Sequence, residues 1–216
     1  MQKRAKGAQG MDAKTCIEKL REARSVAMAT VDADGAPQVR IIDVMHVEPA
    51  RGEIYFVTAR GKAFYRELQG GRGLAMTVLT PAWEMVRVAG MPRRVPAALQ
   101  KEWVDRIFEE NPSMDGVYPG QARYILEAFC VDRAEVEYFD LGKHPVFRET
   151  YTIGQWARRE KGYRITDACV QCGRCAGCCP QGCIEQGTPY RIIPAHCLHC
   201  GYCAEQCPAG AVEPLG

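Results

Sequence analysis

Cys169-Val-Gln-Cys172-Gly-Arg-Cys175-Ala-Gly-Cys178-Cys179-Pro180, followed by Cys197-Leu-His-Cys200-Gly-Tyr-Cys203-Ala-Glu-Gln-Cys207-Pro208, decides how the last quarter of this chain folds. The two segments are copies of one pattern: three cysteines spaced by two residues, then a fourth before proline, at an offset of 28 residues that carries Cys169 onto Cys197 and Cys179 onto Cys207. The copy runs past the thiols, with Gly182 matching Gly210 and Ile184 matching Val212. Ten of the 12 cysteines lie between Cys169 and Cys207. The start of the chain has Lys3, Arg4 and Lys6 but no apolar run behind them, so a cytoplasmic protein is expected, and dense cysteine in a reducing compartment signals metal. Three thiolates at this spacing can wrap a tight loop around an iron-sulfur cube while backbone N–H groups face its sulfides. Zinc sites also use Cys-x2-Cys, but a zinc ribbon needs two pairs, with no third cysteine at the same spacing and no Cys-Pro after it.

The pattern resembles that of the bacterial ferredoxins with two 4Fe-4S clusters, in which the cysteine before proline ligates the other cluster. The resemblance implies one cluster on Cys169, Cys172, Cys175 and Cys207, and a second on Cys197, Cys200, Cys203 and Cys179. Cys178 and Cys183 fall outside the frame, opposite Gln206 and Ala211, and are expected to be small packing residues, as are Cys16 and Cys130 upstream. His196 and His199 flank Cys197 but are superfluous beside a full thiolate set, and His46 and His144 lack ligand spacing to anything. The formal charge of +2 counts thiols as neutral. Eight thiolates around two cores of about +2 each would move it by about −4, to a mildly acidic holoprotein. The basic residues are scattered and the basic start is expected to be frayed, so no nucleic-acid footprint is read, and no run of apolar residues is long enough to span a membrane.

Upstream the hydrophobic pattern predicts a helix over Met11–Glu22, strands over Ser25–Val31, Gln38–Val47 and Glu53–Thr58, and a short helix over Lys62–Leu68 stopped by Gly70-Gly71. Strands follow over Leu74–Leu79 and Met85–Ala89, then a helix over Pro96–Glu110 with Leu99, Trp103 and Ile107 on one face, and a last long strand over Ala128–Phe139. Antiparallel strands with helices at the edges suggest a small closed barrel of α+β class. Composition turns polar and basic after Ile153, so the chain divides into a barrel domain over 1–153, a linker over 154–164 and the cysteine-rich domain over 165–216.

Pro37-Gln38-Val39-Arg40-Ile41-Ile42 on one strand, and Phe56-Val57-Thr58-Ala59-Arg60-Gly61-Lys62-Ala63 at a strand-to-helix junction, resemble the FMN-binding segments of the pyridoxamine 5'-phosphate oxidase-like split barrel. The resemblance spans roughly residues 12–150 and lies in the order of elements more than in identity. It implies that Lys62 and Arg60 hold the flavin phosphate with Thr58 donating a hydroxyl hydrogen bond. Arg40 would point toward the phosphate or ribityl chain, and the backbone around Ile41, Ile42 and Asp43 would line the isoalloxazine edge. It also implies a homodimer with flavin at the subunit interface, where Trp83 or Trp156 could contribute, although core packing is the commoner role for such residues. Asp43 falls where the oxidase carries a basic residue, and the oxidase's C-terminal substrate segment is replaced here by the cysteine-rich domain. Related split barrels bind haem or a deazaflavin; FMN is favoured because it can exchange single electrons with a cluster.

Together the two halves imply an FMN and iron-sulfur oxidoreductase, since a flavin handles electron pairs and a 4Fe-4S cluster single electrons. Reduction of a small-molecule substrate at the flavin is the leading expectation. A relay to a redox partner protein and a redox sensor are the alternatives. No Gly-x-Gly-x-x-Gly fingerprint marks a dinucleotide site.

Overall fold

The computed structural model describes residues 11–216, so the basic start expected to be frayed lies outside the described residues. Helix α1 (Ala13–Ala23) begins behind Asp12, whose carboxylate accepts the Thr15 N–H at 2.7 Å, and it buries Cys16, Ile17 and Leu20. Strands β1 (Ser25–Val31), β2 (Pro37–Asp43), β3 (His46–Glu48) and β4 (Glu53–Ala59) lead into helix α2 (Ala63–Gln69). Then come β5 (Leu74–Leu79), β6 (Glu84–Arg94), helix α3 (Gln100–Glu110), β7 (Leu126–Asp140) and β8 (Phe147–Ile153). The sheet is antiparallel, ordered β2-β1-β5-β6-β7-β4-β3, with β8 also on β7.

The single strand expected over Gln38–Val47 changes partner in its middle. The Val44 N–H donates to the Arg24 carbonyl at 2.8 Å and the Met45 N–H to the Tyr55 carbonyl at 2.9 Å. The chain thus passes from β1 to β4, and this one bent segment closes the barrel covalently where no ladder joins β2 to β3. Strand β6 outruns the expected Met85–Ala89 because a register shift between Gly90 and Pro92 lets it bend along β7. A Cβ at Gly90 would lie 2.4 Å from the Arg133 carbonyl, so the strands can approach there only without a side chain. Strand β7 is not the last of the barrel: β8 follows, hidden in the sequence by the charged and hydroxyl residues between Phe147 and Ile153. The helix expected from Pro96 starts as a 3-10 turn, Ala97–Leu99.

The barrel interior packs Val26, Met28, Phe56, Met76, Val88 and Phe129 against α1, α2 and β8. A second core lies beneath α3, where Val104, Ile107 and Phe108 meet Tyr55, Ala128 and Cys130. Cys16 and Cys130 are fully buried, and burial pushes each thiol up to about 12, as expected of inert packing residues.

In the cysteine-rich module, β9 (Gly162–Ile165) pairs with β12 (Val212–Leu215), enclosing α4 (Arg174–Cys178), the hairpin β10 (Ile184–Glu185) and β11 (Arg191–Ile192), and α5 (Tyr202–Glu205). Strand β9 begins inside the stretch read as linker. It is anchored by Gly162 (φ 106°), where a Cβ would sit 2.8 Å from the His199 ring. The 28-residue repeat is written in the backbone as well. Left-handed φ recurs at Gln171 and His199 (59° and 58°), Gly173 and Gly201 (75° and 79°), and Gly182 and Gly210 (57° and 60°). Among the described residues no helix is long and apolar enough to cross a membrane.

Candidate functional sites

Each cysteine loop turns through two left-handed residues, Gln171 and Gly173 in the first copy and His199 and Gly201 in the second, and the second loop's three thiols face one hollow. In the second copy that hollow is lined by Cys197, Cys200 and Cys203 together with Cys179 and Cys183 from the first copy. The four thiols expected around the second cluster therefore face one space. Cys197 is drawn below the usual thiol range, first by a hydrogen bond from the Cys183 thiol, then by the His199 N–H at 3.4 Å and the positive charge of Arg148, against the cost of burial. It is poised as a thiolate, the form that binds iron. Cys183 moves the opposite way, held as a thiol by its hydrogen bonds to Cys197 and to Cys179, 3.5 Å away. Its place as a buried donor beside the ligands was not foreseen. In the other half, burial first, then the charges of Cys169 and Cys207, raise the Cys175 thiol, and Cys207 packs against the module core that contains Cys175. Cys172 and Cys200 are exposed, and Cys178 bonds the Cys175 carbonyl. Among the described residues no three such side chains converge on a single-ion position.

The second candidate site lies where β4 enters α2. Thr58 is buried, and its hydroxyl is an orphaned buried side-chain polar atom without a hydrogen-bond partner. Leaving such a group unsatisfied costs about 1–3 kcal/mol, and in native proteins it marks a place where another group completes the bonding. Across the ladder from Thr58 is Glu127, also buried. Arg94 grips its carboxylate with two bonds of 2.5 and 2.7 Å, Tyr65 donates to it at 2.6 Å, and Arg60 stands 3.7 Å away. Arg94, then Tyr65, hold that carboxyl below the usual range despite burial. Arg60 also donates to the Tyr124 carbonyl at 2.8 Å, and Lys62 is exposed just before α2. Two guanidiniums around one carboxylate leave the site with surplus positive charge, and Lys62 follows Arg60 two residues on. Helix α2 is only seven residues long, so side chains supply that charge more than the helix dipole does. The hydroxyl and cations fit the phosphate end of a flavin.

Arg40 lies on β2, where it is engaged by the barrel itself. Its guanidinium donates to Thr30 at 2.5 Å and to Glu67 at 2.7 Å and lies over the Phe64 ring, so its charge is already matched by a carboxylate. Ile41 is exposed, Ile42 packs on the barrel core, and Asp43 accepts from Arg24 and Ser25. Arg94, Tyr65 and Glu127 were not singled out from the sequence; the pair Arg93-Arg94 at a strand end was the available signal. Trp83 is 62% exposed in the β5–β6 turn, and Trp156 borders a groove beside Ala29 and Gly73. His46 is a buried histidine set between the carboxylates of Glu48 and Glu110.

Fold and sites together define an α+β split-barrel protein joined to an iron-sulfur module. Residues 13–127 match the pyridoxamine 5'-phosphate oxidase family, and the chain belongs to it. Residues 190–213 match the 4Fe-4S binding domain, so the protein combines a flavin-type barrel with iron-sulfur binding and is a redox protein. Similar solved structures include a NimC/NimA family protein from Clostridium acetobutylicum, 17% identical with a TM-score of 0.54 over 65% of this chain and 93% of that one. A pyridoxamine 5'-phosphate oxidase-related, FMN binding protein from Nostoc punctiforme is 19% identical, with a TM-score of 0.50 over 66% of this chain and 93% of its own. A heme binding protein from Mycobacterium smegmatis is 12% identical, with a TM-score of 0.52 over 67% of this chain and 60% of its own. At these identities the likeness shows the fold alone. No curated protein matches the chain.

Proposed function

We propose that the protein passes single electrons between two 4Fe-4S clusters and an FMN held in the barrel, and that reduction of a small molecule at the flavin is the outcome. The observation that carries this reading is the hollow lined by Cys179, Cys197, Cys200 and Cys203 in a module docked on the barrel wall. Cys169, Cys172, Cys175 and Cys207 hold the other cluster. Thr58, Arg60 and Lys62 bind the flavin phosphate, with Arg94 holding Glu127 beside them, and the backbone from Ile41 to Asp43 borders the ring. Arg40 serves by fixing α2 through Glu67 rather than by binding phosphate. FMN when bound supplies an acceptor that takes electrons singly and delivers them as a pair.

A homodimer completes the reading, since Val39 and Ile41 on edge strand β2 are 74% and 68% exposed. A cytoplasmic location suits clusters that need reduced thiols. Exposed Cys172 and Cys200 favour a second reading, relay to a partner protein. Anaerobic purification with iron, sulfide and flavin assays on one sample tests the proposal. About eight irons and one FMN per chain support it. Eight irons without flavin would return the barrel to a haem or other ligand. Turnover of small acceptors without oxygen separates enzyme from relay.

A further inference from the structure

The two cluster sites are not equivalent with respect to the barrel. Among the described residues, the hydrogen bonds joining residues 162–216 to the barrel end on Gln181, His196 and Cys197. The Val146 N–H donates to the Gln181 side chain at 2.8 Å, the His196 ring bonds the Val146 carbonyl at 2.7 Å, and Arg148 donates to the Cys197 carbonyl at 3.2 Å. Gln181 lies between Cys179 and Cys183, and Ala195 packs against the barrel core. Every one of these contacts belongs to the shell of the second cluster. The first cluster's loop turns outward, with Val170 65% exposed where its counterpart in the second loop, Leu198, is half-buried.

Arg148 joins that shell to the barrel. Its side chain is 13% exposed, and its other guanidinium nitrogen pairs with Glu137, whose side chain is 6% exposed. Glu137 also faces Arg87 at 3.4 Å and Lys161 at 3.9 Å. Arg87, Glu137 and Lys161 border a hollow on the sheet that Ala27, Ala29, Ala75 and Ala89 also line. One guanidinium and one carboxylate therefore separate the Cys197 backbone from the open face of the barrel.

We infer that the cluster on Cys179, Cys197, Cys200 and Cys203 is the one that exchanges electrons with the barrel, and that Arg148 is its positioning residue, tying the Cys197 loop to the barrel wall. The inference rests on the reading of two clusters and a barrel cofactor. A low-potential one-electron donor reduces the outward cluster; that cluster passes its electron to the inner one and is reoxidised. The inner cluster is reoxidised in turn as the barrel cofactor gains the electron. Two passes, with two protons from solvent, complete a two-electron reduction. Transfer falls steeply with distance, so the docked cluster must be the last step. A fixed positive charge beside it favours its reduced form.

The test uses the full-length holoprotein under anaerobic conditions, with EPR-monitored redox titration of Arg148→Met, Arg148→Lys and Glu137→Gln. In Arg148→Met, one cluster moves to lower potential while the other stays. Arg148→Lys restores most of the shift. Glu137→Gln, which removes the neutralising carboxylate, moves the same cluster upward and serves as the second probe should Arg148→Met lose iron. Cys172→Ser marks the signal of the outward cluster, and the Arg148-sensitive signal must be the other one. After mixing with dithionite, flavin bleaching in Arg148→Met slows by about tenfold while cluster reduction does not. Equal shifts of both clusters, no shift, or a shift of the signal marked by Cys172→Ser would overturn the inference. Absence of flavin would sink the proposed function, and the selective potential shift would still report which cluster the arginine serves.

Discussion

Cys207 and Thr58 are single residues whose roles are decided by what lies beside them. Cys207 sits far along the chain from Cys175, yet it packs against the same module core. Cys207→Ser should therefore damage the cluster whose other ligands are Cys169, Cys172 and Cys175, lowering iron from about eight to about four per chain. Two undisturbed cubane EPR signals in that variant would falsify the crossed ligation. At the barrel site, Lys62→Ala should weaken FMN binding by about tenfold without changing iron content, since one charge-assisted phosphate contact is worth about 1.5–3 kcal/mol. Thr58→Val should leave the apoprotein as stable or more stable, because a buried hydroxyl without a partner is replaced by a methyl of similar shape. It should still lose flavin affinity. Urea midpoints and flavin titration check the pair, and unchanged affinity in both variants would remove these residues from the site.

Elements carry a different lesson, because their ends are set by single contacts. The Thr15 N–H holds the Asp12 carboxyl below its usual value of 3.8. That cap's contribution is complete above the unfolded value and is lost as pH falls through the lowered folded one. Asp12→Ala should cost about 1 kcal/mol at neutral pH, and the difference from the native chain should shrink in acid. A deficit that stays constant down to about pH 2 would mean the cap is not the cause. Strand β1 was legible to the residue from its alternating Val and Met, and the cysteine loops from their spacing. The partner switch at Val44–Met45 was not, since a strand that changes neighbours keeps its hydrophobic pattern. Strand β8 was missed for the opposite reason: Arg148, Glu149, Thr150 and Thr152 mask its alternation. With it went Arg148, whose meaning depends on the Cys197 carbonyl and Glu137, contacts that no local pattern encodes. The phosphate site was half legible. Thr58, Arg60 and Lys62 are adjacent in sequence, whereas Glu127 and Arg94 arrive through strand pairing.

At the scale of the whole molecule, two units of unlike stability share one chain. The barrel rests on a continuous apolar core, whereas the module's core is built largely from Cys175, Cys183, Cys197 and Cys203 with a few isoleucines. Small domains of this kind depend on their metal. Chelation of iron should therefore make residues 162–216 sensitive to protease while the barrel fragment survives, with little change in the barrel's melting temperature. Loss of the barrel at the same chelator concentration would show that the two units fold as one.

The hydroxyl of Tyr151 on β8 donates to the carbonyl of Met11 at 3.0 Å, joining the two ends of the barrel across 140 residues of sequence. The ribosome must therefore finish β8 before the amino-terminal helix can be sealed in place, and only afterwards does the iron-binding tail emerge. Synthesis thus delivers a finished dock first and the metal-dependent segment last. The nascent tail can await its iron tethered to a folded protein, with the wall that will receive it already built.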